Sequence, residues 1–272
     1  MLPMKKLMPL ALLLTLAACN QAATPESATK NAADSGSKPI KDPIAPKQVD
    51  INLEEIIKAA MNQQYGANYN AKYDCWNYVL ESDDNSASYC MKPGEAHVMN
   101  VSGGKVIDFY AANRADISDN LDYGYGQVDS GLMGAFKLSV NAAGEWKYTA
   151  ANKAMSFGSA GYCGCDKAEL VKLSNEGLYG WMFSSGGVWQ GIIVLDHEIL
   201  APNGDTFENI SSIPEVREDT QDTKYEIKVV DTAAGKSVFP LLVTKLTSGK
   251  KDKELLINFD DKKRIYVLPE NF

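Results

Sequence analysis

Cys163-Gly164-Cys165 is the segment of this chain best suited to chemistry. Two sulfurs separated by one residue close a small ring only with strained geometry, and strain makes such a bond more reducible. The same pair could present two thiolates to Cu(I) or Zn²⁺, although a zinc site usually takes four ligands and neither histidine is near in sequence. The third reading, which exported domains favour, is a closed disulfide that pins a glycine-rich loop. Cys75 and Cys90 lie in neighbouring strand-like segments joined by Asp83-Asp84-Asn85-Ser86, so a bond between them would staple a hairpin. Four cysteines allow three connectivities, of which Cys75 with Cys90 is the expected one.

The remaining candidates are weaker. His97 falls in a strand pattern, and His197 stands between Asp196 and Glu198, where a histidine beside a carboxylate could serve as a base or ligand. No nucleophile is marked for it, because Phe157-Gly158-Ser159-Ala160-Gly161 lacks the first glycine of a nucleophile elbow. Asp116, Asp119, Asn120, Asp122 and Asp129 crowd one stretch, but Leu121 stands where a calcium loop needs its turn glycine, so a solvated acidic loop is expected. Gly235-Lys236-Ser237 resembles the end of a phosphate loop without its first glycine or a following helix, and reads as a hairpin turn. The sequence predicts a turn at Ser184-Ser185-Gly186-Gly187 flanked by Trp181 and Trp189. With Tyr179 they could make a platform for sugar rings or a partner protein, but Tyr179, Trp181 and Phe183 share one strand face, which predicts core packing. The sequence therefore predicts no catalytic residue, no cofactor and no metal.

These residues need a scaffold, and its pattern is mostly β. Leu53, Ile56, Ile57, Ala60 and Met61 recur at helical spacing, with Asp50 or Asn52 to cap the start and Gly66 to end it. Beyond the helix, short segments rich in β-branched and aromatic residues follow: Glu95 to Ser102, Lys105 to Ala111, Leu132 to Val140, Trp146 to Ala150, Leu178 to Ser184, Val188 to Leu195, Tyr225 to Asp231, Val238 to Leu246, Leu255 to Phe259 and Ile265 to Leu268. Turn residues separate them, among them Ser102-Gly103-Gly104, Gly186-Gly187, Pro202-Asn203-Gly204-Asp205 and Ser248-Gly249. The turns are unevenly spaced, which argues against a propeller or solenoid. The expected fold is a mainly β, antiparallel, hairpin-rich sandwich or open barrel with one N-terminal amphipathic helix.

Lys5 and Lys6 precede an apolar run from Leu7 to Leu16 that, at about ten residues, is far shorter than the ~20 a membrane span needs. Leu16-Ala17-Ala18-Cys19 follows. Residues 1–20 thus resemble the precursor of a Gram-negative lipoprotein, and the resemblance implies cleavage before Cys19, lipidation of its thiol and acylation of its amine. Asn20 follows the cysteine in place of aspartate, which implies the outer rather than the inner membrane. The mature domain is similar to bacterial lipoproteins with no assignable activity, so the resemblance implies an address and no chemistry.

Gln21 to Gln48 hold almost no large apolar residue and read as a disordered tether that reaches about 30 Å on average. The expected division is a signal peptide over 1–18, lipidated cysteine and tether over 19–48, and one globular domain over 49–272. Removing residues 1–18 takes away Lys5 and Lys6 and no acid, so the net charge goes from −8 to −8 − 2 = −10. That charge argues against nucleic acid and anionic lipid surfaces as partners. The expectation is a lipid-anchored, non-catalytic envelope protein that meets the bilayer through acylated Cys19 and binds or supports another envelope protein or a glycan. The competing expectation is a thiol–disulfide or metal-handling protein built on Cys163 and Cys165.

Overall fold

The computed structural model describes residues 50–81, 86–117, 123–217, 222–231 and 237–272. The expected signal peptide, Cys19 and the tether lie outside the described residues. So do the turn residues 83–85, Asp119, Asn120 and Asp122 of the acidic loop, and Gly235 and Lys236.

Helix α1, Leu53–Tyr65, begins at Asn52, whose side chain accepts a hydrogen bond from the Glu55 amide at 3.3 Å. Glu54 and Glu55 in the first turn complement the positive end of the helix dipole, and Gly66 follows the last turn at φ +81°. Ile56, Ala60, Met61 and Tyr65 form its buried stripe.

The strands then build two antiparallel sheets in chain order. The first is a six-stranded meander: β1 Tyr69–Asn70, β2 Cys75–Glu81, β3 Ser86–Val101, β4 Gly104–Asn113, β5 Gly131–Asn141 and β6 Trp146–Phe157. The second has nine strands: β7 Glu169–Lys172, β8 Tyr179–Trp189, β9 Ile192–Asn203, β10 Thr206–Asn209, β11 Ser211–Arg217, β12 Thr223–Val229, β13 Leu241–Thr247, β14 Lys250–Ile257 and β15 Tyr266–Val267. Its main path runs β14-β13-β12-β11-β9-β8-β7, with β10 on β9 and β15 lying parallel to β11. Neither sheet closes on itself, so the expected sandwich or open barrel is an open double sheet with one helix.

The first sheet is covered on both faces. On one, α1 packs against Trp76, Tyr89, Met91, Ile107, Phe109, Phe136 and Leu138. Tyr65 donates to the Lys153 carbonyl and Tyr148 to the Ala60 carbonyl, each at 2.8 Å, tying helix to sheet. On the other face, Tyr110, Ala112, Met133, Ala135 and Ala150 meet Trp181, Phe183, Leu200 and Phe207 of the second sheet. Burial on both sides explains why β4 is buried without interruption from Ile107 to Asn113 instead of alternating. A third core, around Ile199, Ile213, Leu241, Val243 and Tyr266, fills the far half of the second sheet.

One turn differs from the sequence expectation. Gly186-Gly187 is not a turn: β8 continues through it, with Gly186 opposite Leu195 and Gly187 opposite Val194. A Cβ on Gly186 would lie 2.0 Å from the Val194 carbonyl oxygen, so the glycine admits a close strand approach rather than a reversal. The chain reverses at Gln190-Gly191, both at positive φ as a two-residue hairpin turn requires. Trp181 and Trp189 therefore stand on one strand and do not flank a turn.

Candidate functional site

The chain passes between the sheets once in sequence order, from β6 to β7, and Cys163-Gly164-Cys165 sits in that crossover. Cys163 and Cys165 are bonded to each other, as are Cys75 and Cys90. Both members of the crossover pair belong to the core between the sheets, Cys165 with 0% exposure, and the Cys165 amide donates to the Cys163 sulfur at 3.2 Å. Gly164 is held at φ +73°, and a Cβ there would fall 2.1 Å from the Ser184 carbonyl oxygen. The crossover is clamped from the first sheet by Asn113, a buried residue that donates to the Gly161 carbonyl at 2.9 Å and accepts from the Leu132 amide at 2.5 Å. Tyr110 adds a hydrogen bond to the Asp166 carbonyl at 3.1 Å.

Beside this loop lies a cavity of about 340 Å³, bordered by Lys92, Pro93, Tyr110, Arg114, Tyr162 and Cys163. A second cavity of about 500 Å³ adjoins it across Lys92, Pro93 and Gly94, and runs under the start of α1 along Leu53, Ile57, Tyr69 and Trp76. Pro93 can sit in β3 because the pairing with β4 slips between Pro93 and Ala96, where no ladder bond is needed from its nitrogen. Four of the charges at the rim form two internal pairs, while Glu54, Lys58 and Asp166 also border the groove. Lys92 pairs with Asp74 at 2.6 Å, and Arg114 grips Asp116 with two donors while giving a third to the Tyr73 carbonyl. The lysine and the Tyr69 hydroxyl hold the Asp74 carboxyl below its ordinary range, and the arginine does the same to Asp116. What remains open along the groove is largely aromatic and aliphatic.

The two histidines lie on different strands, His97 on β3 and His197 on β9. Along β9, Asp196 and Glu198 project to one face and His197 to the other. His197 Nε2 is hydrogen-bonded to the Tyr225 carbonyl at 2.8 Å, Asp196 pairs with Arg217, and Glu198 accepts from Asn209. Burial, then repulsion from Asp196, pushes the Glu198 carboxyl up to about 7. His97 sits cross-strand from Asp108 and lies against the Trp181 ring at 5.5 Å. Its Nε2 is 3.6 Å from Glu95, too far for a hydrogen bond. His97 Nε2, Asp108 Oδ2 and Trp181 Nε1 are all buried without a protein partner. Burial pushes the Asp108 carboxyl up to about 6, against the opposing pull of Lys137 and His97.

Of the acidic loop, Asp116 is taken by Arg114 and Asp129 accepts from the Gly126 amide at 2.6 Å. Among the described residues no group of three or more His, Cys, Asp or Glu side chains could hold a metal ion. Trp181 and Phe183 are core residues, as strand periodicity predicts, while Trp189 is 41% exposed. The groove itself is invisible to sequence reasoning; its only sequence trace is Pro93-Gly94 inside an otherwise regular strand.

Comparison with protein families, with curated proteins and with solved structures gives no match for this chain.

Proposed function

We propose that the chain is a bacterial lipoprotein held in the cell envelope, in the outer rather than the inner membrane, by acylated Cys19, and that its double-sheet body is a non-catalytic binding or scaffolding module for another envelope component. The observation that carries the module reading is the groove meeting at Lys92-Pro93-Gly94. Lys92, Asp74, Arg114 and Asp116 are paired with one another and much of the remaining wall is aromatic or aliphatic, which suits recognition by shape and burial better than acid–base chemistry. Among the described residues no helix is long and apolar enough to cross a membrane.

Metabolic labelling with a radioactive fatty acid tests the anchor. Label should enter the wild-type chain and be lost, together with membrane sedimentation, in Cys19→Ser; an unlabelled wild-type chain refutes anchoring. A second reading, thiol–disulfide exchange at Cys163–Cys165, draws on Cys163 bordering the smaller cavity, through which an attacking thiolate would have to reach the sulfur. Thiol counting separates the two. In the native protein under millimolar glutathione, both disulfides should stay closed; selective opening of Cys163–Cys165 favours exchange chemistry over scaffolding.

A further inference from the structure

The β8–β9 hairpin ends in an apolar tip of an unusual kind. From Gly177 to Leu195 no residue is charged, the longest such run among the described residues. At the tip Val188 faces Ile193 and Trp189 faces Ile192, so successive cross-strand pairs put apolar side chains on both faces of the ribbon. A hairpin that lies on a core buries one face and shows polar residues on the other. Here Val188 is 48%, Trp189 41% and Ile192 43% exposed. Gln127 donates from its side chain to the Val188 carbonyl at 2.9 Å, which fixes a neighbouring loop to the tip and adds Val128, 75% exposed, to the same region.

We infer that this tip is a second membrane contact, inserting Val188, Trp189 and Ile192 into the interfacial layer of a neutral bilayer. The inference rests on the lipid-anchored reading. Acylated Cys19 would keep the domain within reach of the bilayer, because the 50 − 19 = 31 residues to Asp50 can extend to about 100 Å. Tryptophan favours the boundary between headgroups and acyl chains, where its ring is buried and its indole N–H stays wet. Charge selects the lipid: the chain from Cys19 onward carries −8 − 2 = −10 and is repelled by anionic headgroups, whereas the uncharged tip enters a zwitterionic surface without electrostatic cost. The tight Gln190-Gly191 turn keeps the inserted end narrow, so few backbone groups need to leave water.

The test uses the full acylated protein in phosphatidylcholine vesicles with and without lipids brominated on their acyl chains, which quench tryptophan on contact. Trp76 and Trp181 are buried and Trp146 is partly buried against the α1 core, so the quenchable emission should come mainly from Trp189 at the tip. Wild-type emission should fall by roughly a quarter, Trp189 being one of four tryptophans, and Trp189→Phe should abolish that fall. A Val188→Asp, Ile192→Asp double variant, with Trp189 retained, should abolish it as well. Equal emission with and without bromine in the wild type overturns the inference. So does protection of Trp189 from aqueous acrylamide without bromine quenching, the result expected if two copies docked tip to tip. Intact mass reads Cys19 acylation independently: an unacylated chain sinks the anchor, while an acylated chain with unquenched Trp189 sinks the tip alone.

Discussion

Asp108→Asn should stabilise the protein at neutral pH, against the usual rule that changing a core residue costs stability. Asp108 is 1% exposed, on the β4 face that meets the second sheet, and one of its oxygens has no hydrogen-bond partner. Desolvation dominates its environment, and Lys137 and His97 offset that only in part, so its pKa rises from 3.8 to about 6. A carboxyl with a raised native pKa holds its proton in the folded state after the unfolded chain has released it. Folding stability is therefore untouched below pH 3.8, falls as pH rises between 3.8 and about 6, and stays lowered above that. The gap of about 2 pH units, at about 1.4 kcal/mol each, amounts to about 3 kcal/mol at pH 7. Asparagine keeps the shape and the hydrogen-bonding atoms of the protonated acid and removes the charge.

The assay is urea unfolding of wild type and Asp108→Asn at pH 3.5, 5, 6 and 7 with disulfides intact. The difference between the two proteins cancels the titrating groups that do not interact with Asp108, leaving Asp108 and its coupling to Lys137 and His97. It should be near zero at pH 3.5 and grow in favour of the variant to as much as about 3 kcal/mol at pH 7, a rise in melting temperature of roughly 6–12 °C. A difference that does not change with pH, or a variant less stable than wild type at pH 7, would refute the assignment of Asp108 as a buried carboxylate without compensation.

Two further substitutions probe the covalent frame. Cys75→Ala with Cys90→Ala opens a loop whose ends are 15 residues apart, and should cost about 3 kcal/mol in chemical denaturation; a cost below about 1 kcal/mol would mean that the unfolded state gains little freedom from the cut. Gly164→Ala combines a positive φ with a Cβ 2.1 Å from the Ser184 carbonyl oxygen, so it should cost at least about 2 kcal/mol. Gly144→Ala, at φ +83° with open space around it, should cost only about 1 kcal/mol. Equal losses at the two glycines would show that the crossover yields to make room.

The helix, the β class, the hairpin cysteine pair and the core role of Trp181 were legible because each depends on local spacing. Helical periodicity at Leu53 to Met61 and alternation at Tyr179, Trp181 and Phe183 are properties of a few neighbouring residues. β1, β7, β10 and β11 were missed. They are short or weakly alternating, and their strand character comes from long-range partners: Thr206–Asn209 pairs with β9, and Ser211–Arg217 is flanked by β9, β12 and β15. Gly186-Gly187 was misread because glycine serves equally to turn a chain and to admit a close neighbour, and only the register distinguishes the two. The groove was illegible for a related reason. Its walls come from the start of α1, the β1–β2 edge, the slipped middle of β3 and the crossover, which sequence separation keeps apart.

The crossover decides whether fifteen strands behave as one body or as two sheets that happen to touch. Apart from the chain itself, the sheets are joined by the core of Tyr110, Met133, Trp181, Phe183 and Leu200, of which the bonded cysteines are part, and by hydrogen bonds from β6 to the β9–β10 hairpin, the Ala151 amide to the Asp205 carbonyl at 2.9 Å and the Asn152 side chain to the Phe207 carbonyl at 3.2 Å. The same layer holds the unpartnered atoms of His97, Asp108 and Trp181, so the junction contains both its strongest constraint and a buried polar cost. Interdigitating apolar side chains resist sliding through their shape, and hydrogen bonds, which demand direction as well as distance, narrow the geometry further. Asn113 and Tyr110, which hold the crossover backbone from the first sheet, and Gly164, which lets it press on Ser184 in β8, add directional contacts to that packing at the crossover end. On this argument the Cys163–Cys165 bond works by fixing the shape of eleven atoms where the sheets meet, and opening it should loosen the β8–β9 hairpin and the groove together while leaving the α1 core unchanged.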